Sequence, residues 1–283
     1  MFIPDHTSYV AERGNGCGYD YTVPLEPADF AAVFDRMPPE EPRRFAEMPA
    51  VLTAAVEHDA VLLQGEPGSG KSHILHDIAS LCVGNSVPFL RLSIHINAGT
   101  VAHAKETQEL LRTFQENAAH MSGRALCLLD NVDFVGFRNR TRKTGKAIDY
   151  AQKVVPSLIS LVQSPDVITI GTAHSEEWRR RRWRWPEEGH YAPINAAARL
   201  FLNAFGEIHR FDGSMTNGAI QETLQERGVD APQARDIADE LGRMGMSQFV
   251  YASHIDPQAF MEGSSRACQL VDAGRELRTG PTR

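Results

Sequence analysis

With 283 residues, 42% of them hydrophobic, the chain has material for one large α/β core and a smaller second one, and a disordered polyelectrolyte is excluded. Its 29 basic and 36 acidic side chains give a net charge of −7, which argues against wholesale binding to a polyanion and leaves only local basic patches for that purpose. The four cysteines (Cys17, Cys82, Cys127, Cys268) form no C-x-x-C pair, no stretch approaches the ~18 consecutive apolar residues of a membrane span, and Met1-Phe2-Ile3-Pro4-Asp5 is no signal peptide. The expectation is therefore reduced thiols, no membrane and a cytoplasmic location.

Residues 1–48 read as an extended, turn-rich arm, since seven of the sixteen prolines fall within residues 1–49. The cluster Gly14-Asn15-Gly16-Cys17-Gly18 follows no apolar strand and opens no helix, so it reads as a loop and not as a dinucleotide fingerprint. Phe30, Val33, Phe34 and Met37 keep helical spacing after Pro27, and Pro49 to Glu57 reads as a second helix leading into the apolar run Ala60-Val61-Leu62-Leu63.

That run feeds Gly65-Glu66-Pro67-Gly68-Ser69-Gly70-Lys71-Ser72, a complete G-x-x-x-x-G-K-[ST] sequence, and Ile74, Leu75, Ile78 and Leu81 follow at helical spacing. A glycine loop between a strand and a helix lets consecutive N–H groups face phosphate oxygens at a helix N-terminus whose dipole favours negative charge. Lys71 is placed to reach the β- and γ-phosphates, and the Ser72 hydroxyl to take a position on Mg²⁺. ATP and Mg²⁺ are the ligands this motif calls for.

Further along, Pro88 to Ile94 reads as a strand, Glu106 to Ala119 as a helix, and Ala125 to Asp130 as a buried strand ending in an acid 59 residues after Lys71, where a second carboxylate completes a Mg²⁺ shell. A helix reaching about Val162 and kinked or restarted near Pro156 follows, then a strand Val167–Gly171, a helix Pro193–Ala204 and a short strand Glu207–Phe211. Beyond Asp212 only helical runs appear, near 216–227, 232–244 and 264–277. Strands separated by helices in this order predict an α/β fold, a parallel sheet flanked by helices over residues 49–212, with a small all-helical domain over 213–283.

Together, Gly65–Ser72, Leu128-Leu129-Asp130-Asn131-Val132-Asp133, Ile168-Thr169-Ile170-Gly171-Thr172-Ala173-His174 and the helical C-terminal region resemble the AAA+ family of P-loop NTPases over roughly residues 49–275. The resemblance implies that strand 166–171 lies between the two Walker strands, that Asp130 is the Walker B acid, and that residues 213–283 form a lid. It implies a sensor 1 role for His174, where an Asn is common in the family. It also makes Gly263-Ser264-Ser265-Arg266-Ala267 the sensor 2 segment, with Arg266 aimed at the γ-phosphate and Arg243 the runner-up. Subunits of such proteins complete one another's sites, so a homo-oligomer is expected.

Two positions depart from the family pattern. The Glu that usually follows the Walker B Asp is Asn131, whose amide orients a water but cannot take its proton; Asp133 is the candidate substitute. In Phe205-Gly206-Glu207-Ile208-His209-Arg210-Phe211, similar to the R-F-x-x-x-I-x-F segment, the arginine position holds Ala204, which leaves Arg199 or the cluster at 179–184 to supply an arginine finger. Two basic patches stand out: Arg138, Arg140, Arg142, Lys143 and Lys146, and the Trp/Arg run 178–185. The second is flanked by Glu176, Glu177, Glu187 and Glu188, so its cations serve either nucleic acid or internal salt bridges and a subunit interface. His73 and His76 on one helix have no third ligand nearby and read as helix-surface residues. Two functions follow: an ATP-driven remodeller of a macromolecular client, protein or nucleic acid, or a nucleotide-gated switch that holds ATP with little hydrolysis.

Overall fold

The computed structural model of the chain describes residues 18–22, 28–36, 44–94, 101–121, 123–133, 144–176, 179 and 192–261. Its architecture follows from two strands with no polar alternation. All six residues of β4 (Ala125–Asp130) and all eight of β5 (Val167–His174) are buried, the pattern of interior strands covered on both faces. They pair in parallel with each other, and β4 pairs in parallel with β3 (Phe89–Ser93). With β2 (Ala60–Gly65), β6 (Glu207–Arg210) and β1 (Gly18–Thr22), the sheet runs in the order β1-β3-β4-β5-β2-β6: five parallel strands and one antiparallel edge strand, β1 on β3. As the family resemblance implies, β5 lies between β4 and β2.

Helices cover both faces. Leu62, Leu90, Leu92, Cys127 and Leu129, on one side of their strands, share a core with Leu111 and Phe114 of α4 (Val101–Ala118), Val154, Val155 and Leu158 of α5 (Thr144–Val162) and Phe201 of α6 (Ala192–Leu202). On the other side of the fold, Phe30 and Val33 of α1 (Phe30–Arg36), Leu52 of α2 (Met48–His58) and Ile78, Leu81 and Cys82 of α3 (Lys71–Gly84) enclose a small apolar space. Truncating a large buried ring such as Phe114 or Phe201 to Ala costs about 3–5 kcal/mol in sites of this kind. Burial pushes the Cys82 thiol up to about 12 and raises that of Cys127 as well, so both are inert core groups at neutral pH.

Several elements depart from expectation. The arm contributes an unexpected strand, β1, whereas α1 stands where the spacing of Phe30, Val33 and Phe34 predicts a helix, with Asp29 accepting from Ala32 N (2.8 Å) as its cap and from Arg124 N (2.7 Å). α5 runs unbroken through Pro156 because its buried face, Val154 to Val162, holds it on the sheet and on α4, while Gln108 Nε2 donates to the Lys153 carbonyl (2.6 Å) near the helix bond that proline removes. β5 extends past Gly171 to His174, which places His174 at a strand end and not at a helix entry.

The chain divides into two compact units, Met1–Met37 with Val51–Gln64 and Leu75–His209, and Pro38–Ala50 with Gly65–Ile74 and Arg210–Arg283. The first holds almost all of the sheet. The second holds the glycine loop and the C-terminal helices α7 (Asn217–Glu226), α8 (Ala231–Arg243), α9 (Phe249–His254) and α10 (Pro257–Met261). Thr216 and Asp230 cap α7 and α8 by accepting from Ala219 N (3.3 Å) and Gln233 N (2.9 Å), each worth about 1 kcal/mol. Arg227 ties the end of α7 to α9, donating to the carbonyls of Ala252 (2.7 Å) and Ile255 (2.6 Å). The run 264–277 lies outside the described residues. Among the described residues no helix is long and apolar enough to cross a membrane.

Candidate functional site

Within the second unit, β2 ends at Gly65 and α3 begins at Lys71, so the intervening turn is built around a helix N-terminus. Gly68 (φ 80°) and Gly70 (φ 93°) take backbone conformations closed to most residues, and a β-carbon at 70 would lie 2.8 Å from the Phe45 ring. The Lys71 ammonium, 7% exposed, donates to the carbonyls of Gly65 (2.8 Å) and Glu66 (2.7 Å) and to Ser69 Oγ (3.3 Å). Carbonyl and hydroxyl oxygens of the loop itself thus hold this buried cation in place. Phe45 packs on Phe211 and Phe249 at ring distances of 5.4 and 5.9 Å, and His73 stacks on Phe249 at 4.4 Å, so this histidine is a packing residue.

In the first unit, the ends of β4 and β5 carry the acidic residues. Asp130, 4% exposed, accepts from the Thr172 hydroxyl at Oδ1 (2.6 Å), and Thr172 Oγ1 accepts in turn from Asn131 N (2.9 Å). Asn131 sits at φ 58°, in the left-handed region that Asn tolerates better than Glu does. Asp133 is fully buried. Its Oδ2 accepts from His174 N (3.2 Å) and lies 2.9 Å from His174 Nδ1, and its Oδ1 has no hydrogen bond among the described residues. Burial pushes the Arg179 guanidinium down from its ordinary value, and the charges of Asp133 and Glu176 oppose that shift. Asp133, His174 and Arg179 therefore form one buried polar cluster beside, and separate from, the Asp130–Thr172 pair.

The structure thus brings Gly65 to Ser72 together as one loop, Asp130 with Thr172, and Asp133 with His174. Arg199 lies exposed in the last turn of α6, and Arg243 is ion-paired to Glu240 on the solvent side of α8. Arg266, Trp178, residues 180–185 and Arg138 to Lys143 lie outside the described residues, and of Lys146 only the backbone is described. Thr172 is the site residue to which motif reading gives no role of its own, and Arg179, within the 179–184 cluster considered for an arginine finger, is buried beside Asp133. Strand register finds Thr172: Leu129 pairs with Gly171, so the next pair is Asp130 with Thr172.

A parallel sheet whose strand feeds a glycine loop, with Lys71 and Ser72 opening the next helix and an acid ending a buried strand two positions away in the sheet, defines the P-loop NTPase class. Residues 61–180 match the profile of the "ATPase family associated with various cellular activities (AAA)", so this segment is similar to AAA-type domains. No curated protein matches the chain. Among solved structures, a chain of the E. coli MS115-1 HORMA:CdnC:Trip13 complex is similar at 12% identity and a TM-score of 0.39, covering 74% of this chain and 65% of that one. C. elegans PCH-2 is similar at 14% identity and a TM-score of 0.41, covering 85% of this chain and 57% of that one. The chain therefore spans less than two thirds of either protein.

The loop's donor set suits a nucleotide polyphosphate. Two left-handed glycines shape the turn, a buried ammonium stands at the loop, and Ser72 in the first helical turn offers a hydroxyl of the kind that binds Mg²⁺.

Proposed function

We propose that the chain binds ATP with Mg²⁺ on the loop 65–72 and couples binding, and slow hydrolysis, to the remodelling of a macromolecular partner. The observation that carries this reading is Lys71 buried inside a complete phosphate loop in a segment similar to AAA-type domains. In this reading the backbone N–H groups of Gly68, Gly70 and Lys71 bind phosphate, Ser72 and Asp130 hold Mg²⁺, and Thr172 fixes the Asp130 carboxylate in one orientation. Bound Mg²⁺ supplies charge neutralisation on the phosphates. Residues 213–283 serve as the lid, with Arg266 toward the γ-phosphate, and Arg199 serves a neighbouring subunit of a homo-oligomer.

A second reading, a switch that holds ATP and turns it over little, has its own support. Asn131 cannot accept a proton from water, and Asp133 is sealed from solvent with one oxygen on His174. We assign Asp133 and His174 to holding the polar cluster with Arg179 and not to handling water. Steady-state turnover measured beside the ATP dissociation constant separates the two: turnover that rises with a client supports the remodeller, whereas tight binding with negligible turnover under all conditions supports the switch. Nucleic acid as the client requires saturable, salt-dependent binding of labelled single- or double-stranded DNA.

A further inference from the structure

The phosphate loop is backed, inside its own unit, by a layer of three short segments. Residues 213–216 run down the middle. Ala46 N donates to Ser214 O (2.9 Å) and Thr216 N to Arg44 O (3.1 Å) on one side; Met215 N donates to Ser247 O (2.9 Å) and Phe249 N to Gly213 O (2.8 Å) on the other. This layer presses on the loop at two points. A β-carbon at Gly65 would lie 2.2 Å from the Phe211 carbonyl oxygen, and one at Gly213 (φ 79°) would lie 1.9 Å from that of Ser69. The Ser69–Gly70 peptide is planar and trans, so a carbonyl held against Gly213 turns the Gly70 N–H the opposite way.

Gly213 is itself held by Glu47. The carboxylate oxygen Oε1 accepts from the backbone N–H of Asp212 (3.3 Å) and of Gly213 (3.2 Å), and Asp212 Oδ1 accepts from Ser214 N (2.7 Å) to complete the turn. We propose that Glu47 is a positioning residue for the phosphate loop: by clamping residues 212–213 it fixes the plane of the Ser69–Gly70 peptide and keeps the Gly70 N–H aimed for phosphate. The proposal rests on the reading of loop 65–72 as the ATP site. It places a determinant of nucleotide affinity in the segment before α2, which the sequence reads as part of an extended, turn-rich arm.

The test is titration calorimetry of the full chain with Mg-ADP and Mg-ATP, with melting temperature measured in the absence of nucleotide. Glu47→Ala should raise both dissociation constants about tenfold, the size of two ordinary hydrogen bonds. Glu47→Gln, whose amide oxygen still accepts from the two N–H groups, should restore the parental values. Glu47→Asp, too short to reach both N–H groups, should behave like Ala and carries the test if the Ala variant does not fold. A lowered melting temperature with parental dissociation constants in Glu47→Ala or Glu47→Asp would mean that Glu47 supports the fold alone, and would overturn the proposal. No nucleotide binding by the parent chain overturns the ATP reading first, and this inference with it.

Discussion

Thr172 donates its hydroxyl hydrogen to Asp130 Oδ1 over 2.6 Å while its oxygen accepts the Asn131 N–H, so one side chain fixes both the acid that ends β4 and the backbone turn that follows it. Thr172→Val keeps the shape and removes both bonds, leaving a buried carboxylate and an amide without these partners. The expected loss of stability is about 1–3 kcal/mol, read from urea denaturation, with Thr172→Ser close to the parent. Equal midpoints for the Val variant and the parent would show that the hydroxyl does nothing for this end of the sheet.

Asp133→Asn should destabilise the chain by about 1–3 kcal/mol, because it removes one of the two carboxylate charges acting on Arg179 and alters the buried contact with His174. Turnover per folded molecule should stay near the parental value if Asp133 only holds the cluster. A large fall in turnover with little change in stability would return Asp133 to the role of water-handling carboxylate.

Asn131→Glu is expected to do two things at once. A Glu at φ 58° costs about 1 kcal/mol of stability, and it puts a carboxylate next to Asp130, which should raise ATP hydrolysis. Both changes are read from one preparation, by denaturation and by phosphate release. Unchanged turnover would place water activation elsewhere.

Self-association should be stronger with ATP than with ADP, and Arg199→Ala should weaken hydrolysis in the assembled state while leaving nucleotide affinity within about twofold. Sedimentation velocity with each nucleotide, together with turnover against protein concentration, checks this. A monomer in every nucleotide state removes Arg199 from consideration as a residue acting in a neighbour's site.

The sheet was legible because its strands are continuous apolar runs separated by helical periodicity, and the loop because its glycines, Lys71 and Ser72 have fixed spacing. What escaped was whatever depends on partners distant in sequence. β1 is a strand because Gly18–Thr22 pairs with Phe89–Ser93; Tyr19, Tyr21 and Thr22 favour a strand locally, but five residues inside a proline-rich arm carry little weight without that partner. α5 crosses Pro156 because burial of one face outweighs the lost hydrogen bond, which propensity alone does not weigh. Thr172 has no role in the 168–174 motif as read from sequence, because its partner Asp130 lies 42 residues away on the neighbouring strand. Glu47 lay in an arm with no motif, and its role rests on backbone N–H groups 165 and 166 residues away.

The central claim is that loop 65–72 binds a nucleoside triphosphate through Lys71. Titration calorimetry of Mg-ATP into the parent chain and Lys71→Ala, with thermal melts of both, tests it most directly. The account predicts saturable binding and an ATP-dependent rise in melting temperature for the parent, since a ligand that binds only the folded state stabilises it, and neither for the variant. The same binding isotherm and the same rise in the variant would contradict it.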